Sequence, residues 1–247
     1  MNGTWTEVEI AGHPCYLYEP PERNTRNYVA MYLHGVHLGR LQEMPAFTEA
    51  FDRHGLPVVC PVVQRSWWAD KICPEFDPNI TAERHVLDNI LPFIQERFDA
   101  EPPQIALLGT SMGGQGALRL AFKHPDVFPI VAAISPAIEF HKRWDEGDEV
   151  LPTMFRDKED ARQETAILYA GLFNRIRNLF FCCDPADEYW FDSADRLSMK
   201  LSSMGILFES DLETSAGGHG LEYYNAMADR AVDFLATALN NERLRVF

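Results

Sequence analysis

The sequence predicts an α/β fold, a mostly parallel central sheet with helices on both faces. Three observations predict it. Short apolar runs alternate along the chain with longer segments of helical period. A Gly-x-Ser-x-Gly segment, Gly109-Thr110-Ser111-Met112-Gly113, falls where a strand pattern gives way to a helix pattern. An acidic segment and a glycine-flanked histidine each follow a later strand pattern, in the chain order Ser…Asp…His.

Thr6–Leu17 reads as a strand or hairpin. Tyr28–Leu33 is apolar on both faces and ends at His34-Gly35, a buried strand with an abrupt exit. Leu56–Val63 is another strand, weakened by Pro57 and Pro61, which donate no ladder hydrogen bond. Thr81–Phe98 reads as a helix with Thr81 as N-cap. Its apolar stripe is Val86, Ile90, Phe93 and Ile94, flanked by Leu87, Leu91 and Phe98. Pro92 should kink or break it. Gln104–Leu108 is a short buried strand leading into the glycine-rich segment, and a helix follows to Lys123, ended by His124-Pro125. Phe128–Ile134 is the next strand. Residues 139–177 are charged and irregular, then helical, and read as an insertion within a single domain spanning 1–247. Asn178–Cys183 is a strand, Ser193–Ser203 a helix, Gly205–Ser210 the last strand and Leu221–Leu239 the closing helix.

Composition narrows the function. In 247 residues, 46% are hydrophobic and 24% charged, ordinary for a globular chain able to bury a large core. Twenty-two basic residues against 37 acidic ones give a net charge of −15. That balance excludes phosphate-tracking nucleic-acid binding and docking on an anionic membrane. No run approaches the roughly 20 apolar residues of a membrane span. The first residues show no basic segment followed by an apolar one, so no secretory signal is expected. Cys15, Cys60, Cys73, Cys182 and Cys183 are odd in number and match no zinc spacing, which suits reduced thiols in a cytoplasmic protein. Asp70, Asp77 and Glu83 have no metal-ligand spacing, and no metal or organic cofactor is expected.

The chemistry concentrates at four places. A serine between strand and helix can stand at the tip of a tight turn with its hydroxyl free, and glycines two residues either side relieve the collisions of that turn. The helix start directs backbone N–H groups at the same point. His219, in Gly217-Gly218-His219-Gly220, can reach such a tip from the loop after the last strand. Asp184 and Asp187, after the strand Asn178–Cys183, are candidates for the acid that orients the histidine. Pro185 biases Asp184 towards an extended backbone and a turn role. Asp187 lies past the turn, free to swing under the imidazole. The fourth place is the strand exit His34-Gly35-Val36-His37, whose loop can supply an oxyanion N–H. Trp67-Trp68 read either as a pocket wall or as a surface loop on the sheet edge, and Asp145–Glu149 as a solvated face.

These segments resemble the α/β-hydrolase superfamily, and within it the putative-esterase group that includes esterase D, feruloyl esterases and mycolyltransferases. The resemblance rests on YLHG, NILPFIQERF, IALLGTSMGGQGALRLAFKHPDVF, ISPAIEF, FFCCDPADEYW and GGHG, spread over most of residues 28–240. It implies an α/β-hydrolase fold, with Ser111 as nucleophile, His219 as base, Asp187 as acid, and Val36 and Met112 as oxyanion donors. The implied reaction is hydrolysis of a small-molecule carboxylic ester through an acyl-enzyme. Acyl transfer or thioester cleavage on the same site, or a non-catalytic protein keeping the fold, are the alternatives. The chain departs from the group at Cys183-Asp184-Pro185, where a small glycine turn usually precedes the acid.

Overall fold

The computed structural model describes residues 3–171 and 176–245. Its first strands, β1 (Thr4–Ile10) and β2 (His13–Glu19), form the expected hairpin. The strands β3 (Val29–Leu33), β4 (Val58–Pro61), β5 (Ile105–Thr110), β6 (Ile130–Ile134), β7 (Asn178–Cys182) and β8 (Glu209–Asp211) follow. Among the described residues these eight strands form one sheet in the order β1-β2-β4-β3-β5-β6-β7-β8, parallel from β4 to β8. Side chains alternate across the pleat. Ile105 and Leu107 of β5 therefore enter one core, and Ala106 and Leu108 the other.

Helices cover both faces, as the sequence predicts. One core takes Phe47 and Phe51 of α1 (Pro45–His54) and the buried stripe of α9 (Leu221–Arg245). The other takes α4 (Met112–Lys123), α8 (Phe191–Ser203) and the helix through 82–98. That last helix runs as α2 (Ala82–His85), a π-helical turn at Val86–Ile90, and α3 (Leu91–Phe98). Thr81 caps it, its hydroxyl oxygen accepting from Arg84 N at 3.1 Å. Pro92 does not break it. The wider turn, in which Leu91 N–H bonds to Val86 O, makes room for a ring that would crowd a regular α-turn. The buried stripe is Val86, Ile90, Ile94 and Phe98, and Phe93 is only partly covered.

Two further elements differ from expectation. The last strand is shorter and later than Gly205–Ser210, because only Glu209, Ser210 and Asp211 stand opposite β7, and Leu207 faces solvent. After β6 the chain is irregular first, with a 3-10 turn at Phe140–Trp144 and the short α5 (Leu151–Met154), and the helical part that follows is two short helices, α6 (Lys158–Gln163) and α7 (Ala166–Tyr169), in place of one. Asp148 and Asp157 accept from the backbone N–H groups that open α5 and α6, so the acidic stretch Asp145–Glu149 is partly structural. The part of the expected insertion at 172–175 lies outside the described residues.

A buried ion cluster ties this segment to the helix layer. Glu83 meets Lys123 at 2.7 Å and His124 at 2.9 Å, and the fully buried Arg119 pairs with both Glu83 and Glu164. Burial raises the Glu83 pKa. Hydrogen bonding to His124 and the charges of Arg119 and Lys123 outweigh it, and hold the carboxyl down at about 2. A depressed carboxyl stabilises the fold above its ordinary value of 4.5, and that contribution is lost as the pH falls towards 2. Glu83→Gln leaves Arg119 without one of its counter-charges and should lower stability at neutral pH by about 3 kcal/mol in urea unfolding. The gap from wild type should narrow below pH 4.5. A variant within about 0.5 kcal/mol of wild type at neutral pH would contradict this account.

Candidate active site

Ser111 stands between β5 and α4 at φ 53° and ψ −118°, a backbone conformation that L-residues avoid. The turn is possible because both flanking glycines lack a side chain. A Cβ at Gly109 would lie 2.1 Å from Gly113 O, and one at Gly113 would lie 1.8 Å from Leu33 O. The Ser111 carbonyl accepts from Gln115 N and Ala137 N, and its own N–H donates to Ile134 O, so the strained residue is tied on three sides.

The parallel strands all deliver their carboxyl ends to this edge, where open α/β sheets build their sites. His219, on the loop after β8, places Nε2 3.0 Å from Ser111 Oγ. Its Nδ1 lies 2.7 Å from Asp187 Oδ2. Asp187, past the end of β7, is buried, and its other oxygen accepts from the N–H groups of Tyr189 and Trp190 at 3.1 Å each. The Cys183 thiol, whose pKa burial pushes far up, keeps its proton and donates to Asp187 Oδ2 at 3.6 Å. The carboxylate thus receives four donors in all and has little freedom to turn.

Asp184 lies beside it but faces elsewhere. Its carboxylate accepts from Ala186 N at 2.7 Å, Ser215 Oγ at 2.7 Å, Ala216 N at 2.6 Å and Gly218 N at 2.8 Å. Burial raises its pKa, and these donors outweigh burial and hold the carboxyl below its usual range. Asp184 therefore joins the turn before Asp187 to the loop that carries His219. Its turn role follows the sequence expectation, and its bonds to residues 215–218 go beyond it.

The strand exit after β3 packs directly on the serine. A Cβ on Gly35 would come 3.3 Å from Ser111 Cβ. Val36 lines the cavity beside Ser111, and Met112 opens α4, where the N–H has no acceptor within its own helix. His34 holds this loop from beneath. Its Nε2 accepts from Val63 N at 3.1 Å, so its proton sits on Nδ1 and is donated to Gly35 O at 2.8 Å. Burial lowers the His34 pKa to about 4, and the ring stays neutral as a support. Trp67 and Trp68 are buried, both at positive φ, so the surface-loop alternative does not hold. Trp67 walls the cavity and stacks on Phe140, with ring centroids 4.5 Å apart. Trp68 lies deeper, donating from Nε1 to His34 O at 3.2 Å.

The cavity over Ser111 has a volume of about 600 Å³. Arg143 and Glu146, from the segment after β6, reach its wall, as do Tyr189, Trp190 and Tyr224. Glu146 belongs to the stretch Asp145–Glu149 read as a solvated face, and none of these residues was assigned to the site from sequence. Tyr224 lies closest to the chemistry, with its hydroxyl 3.0 Å from His219 Nε2. Its signal was a tyrosine one helical turn past the histidine loop, which reads equally as a core residue. Among the described residues, no group of three or more His, Cys, Asp or Glu side chains could hold a metal ion, and no helix is long and apolar enough to cross a membrane.

Comparison with known proteins agrees with this architecture. No curated protein sequence is detectably similar to the chain. The S-formylglutathione hydrolase of Agrobacterium tumefaciens superposes with a TM-score of 0.75 at 18% identity, covering 96% of this chain and 94% of that one. A fluorophosphonate-binding serine hydrolase of Staphylococcus aureus, FphF, gives 0.70 at 17% identity, covering 96% and 99%. A ferulic acid esterase gives 0.73 at 16% identity, covering 95% and 98%. At these identities the likeness shows the α/β-hydrolase fold. A family model described as "Putative esterase" matches residues 13–171, more than half of the chain and inclusive of the Ser111 turn. The chain belongs to the putative-esterase family and is a carboxylic ester hydrolase.

Proposed function

We propose that Ser111, His219 and Asp187 are the nucleophile, general base and orienting acid of an acyl-enzyme ester hydrolysis, with the N–H groups of Val36 and Met112 as oxyanion donors. The observation that carries this reading is the continuous hydrogen-bond line from Ser111 Oγ through His219 to Asp187, at 3.0 and 2.7 Å. Ser111 Oγ attacks the ester carbonyl while its proton passes to Nε2. The tetrahedral oxyanion is held by the two N–H groups. Collapse expels the alcohol, which takes the proton from Nε2 and leaves Ser111 acylated. Water repeats the sequence and frees the acid. Asp187 keeps Nδ1 protonated and steadies the imidazolium. The substrate is a small-molecule ester accommodated in the cavity bounded by Trp67, Trp190 and Tyr189.

We also propose one domain over 1–247, with residues 139–177 as an insertion. It is supported by Phe140, Leu151, Phe155 and Ala166, which enter the same core as β5 and α4. A cytoplasmic location is supported by the five buried, unbridged thiols, which suit a reducing compartment.

Ser111→Ala should lower kcat by about 10⁶-fold and abolish labelling by a fluorophosphonate, with the unfolding transition retained. Labelling at another serine, read by peptide mass spectrometry, would remove Ser111 from the role.

The two acids should separate. Asp187→Asn should lower kcat by about 10⁴-fold at near-normal KM. Asp184→Asn turns an amide N–H₂ towards N–H donors and should chiefly cost stability, by about 2 kcal/mol. Kinetics and urea unfolding of both variants check this. A larger kcat loss in the Asp184 variant would transfer the role.

A further inference from the structure

The hydrogen-bond line from Ser111 to Asp187 leaves one donor unaccounted for. Tyr224 sits in the first turn of α9, its backbone N–H bonded to Gly220 O at 3.0 Å, one residue past His219. The ring is buried, and its plane stands at 90° to the imidazole. The hydroxyl lies 3.0 Å from His219 Nε2, the same atom that Ser111 Oγ approaches at 3.0 Å. With Nδ1–H committed to Asp187, Nε2 has one lone pair for two hydroxyls. Ser111 needs that lone pair to lose its proton. Tyr224 is then a surplus O–H donor facing the space beside Nε2. Burial pushes the phenol pKa well up, so it keeps its proton across the working range and has that proton to donate. The space beside Nε2 is also where the alcohol oxygen leaves and the water oxygen enters, since both exchange a proton with that nitrogen.

We propose that Tyr224 is a further catalytic residue, whose hydroxyl donates a hydrogen bond to the oxygen standing at His219 Nε2: the leaving alkoxide in acylation and the attacking water in deacylation. This rests on the Ser111–His219–Asp187 reading. In acylation the C–Oγ bond forms and the C–OR bond breaks. The departing oxygen gathers negative charge until the Nε2 proton reaches it. In deacylation the water loses a proton to Nε2 as its oxygen bonds to the acyl carbon, and the same charge appears on the same site. Tyr224 keeps its own proton throughout and stabilises both transition states. The contribution depends on the leaving group. An alkoxide needs the donor, whereas a nitrophenolate spreads its charge over the ring.

The test is Tyr224→Phe, which keeps the ring and removes the hydroxyl. It is assayed by kcat/KM on alkyl and 4-nitrophenyl esters of one acid that the wild type hydrolyses. Fluorophosphonate labelling of Ser111 is followed in both proteins. The alkyl ester should lose roughly 10- to 100-fold and the 4-nitrophenyl ester less than about threefold, with labelling retained. Both rates come from one preparation, so a reduced folded fraction cancels in their ratio. Equal losses on the two esters, or no loss on either, would overturn the role of Tyr224 while leaving Ser111 in place. Absence of labelling at Ser111 in the wild type would instead overturn the Ser111 reading, and this proposal with it.

Discussion

The chain turns from β5 into α4 within one residue, and that residue is Ser111 at φ 53°. Holding a non-glycine residue there costs on the order of 1–3 kcal/mol. The cost is offset by what surrounds it: two glycines that allow backbone contact, a strand buried on both faces before it, and a helix buried along nearly its whole length after it. The same turn sets the rest of the site. It brings the start of α4 under the serine, where N–H groups without an intrahelical acceptor favour negative charge. It also brings the exit of β3 so close that position 35 has room only for a small residue.

Two buried aspartates three residues apart divide the remaining work. Asp187 is saturated by donors on every side yet reserves its shortest contact for His219. Asp184 accepts from residues 215–218, and so holds the histidine loop in register with the turn below it. The first orients the imidazole directly and the second anchors the loop that delivers it. A carboxylate suits the second task because it can accept four N–H or O–H donors at once, which no neutral side chain of that size can do.

The segment after β6 connects substrate space to fold stability. Phe140 stacks on Trp67 at the cavity wall, Arg143 and Glu146 face the cavity, and Glu164 closes the ion cluster around Arg119. The wall over the serine is thus fastened to the helix layer by buried charge as well as by apolar contact. A buried ion cluster adds little net energy over an apolar core, but its directional bonds specify how the segment sits.

Much of this was legible in the residues. The alternation of apolar runs reflects the two-faced burial of a parallel sheet, so most strands and covering helices followed from period, whereas α1 was not read from it. Gly109, Ser111 and Gly113 announced their turn because steric exclusion at such close contact leaves few sequence solutions. The order of Ser111, an aspartate and His219 followed from which strand precedes each, and Pro185 marked Asp184 as a turn residue while both aspartates stayed candidates for the acid. Local physics also limited what could be read. Pro92 signalled a break that the π-turn absorbed, and Leu207 looked like strand although pairing with β7 begins only at Glu209. Tyr224 beside His219, Trp67 at positive φ and the carboxylate of Asp184 reaching residues 215–218 all depend on contacts between distant parts of the chain. Sequence alone determined most of the elements, their order and the chemical groups at their ends, because these depend on neighbours along the chain. Tertiary structure alone decided which of those groups meet and at what distance, because that depends on how two packed cores set the strands and helices against one another.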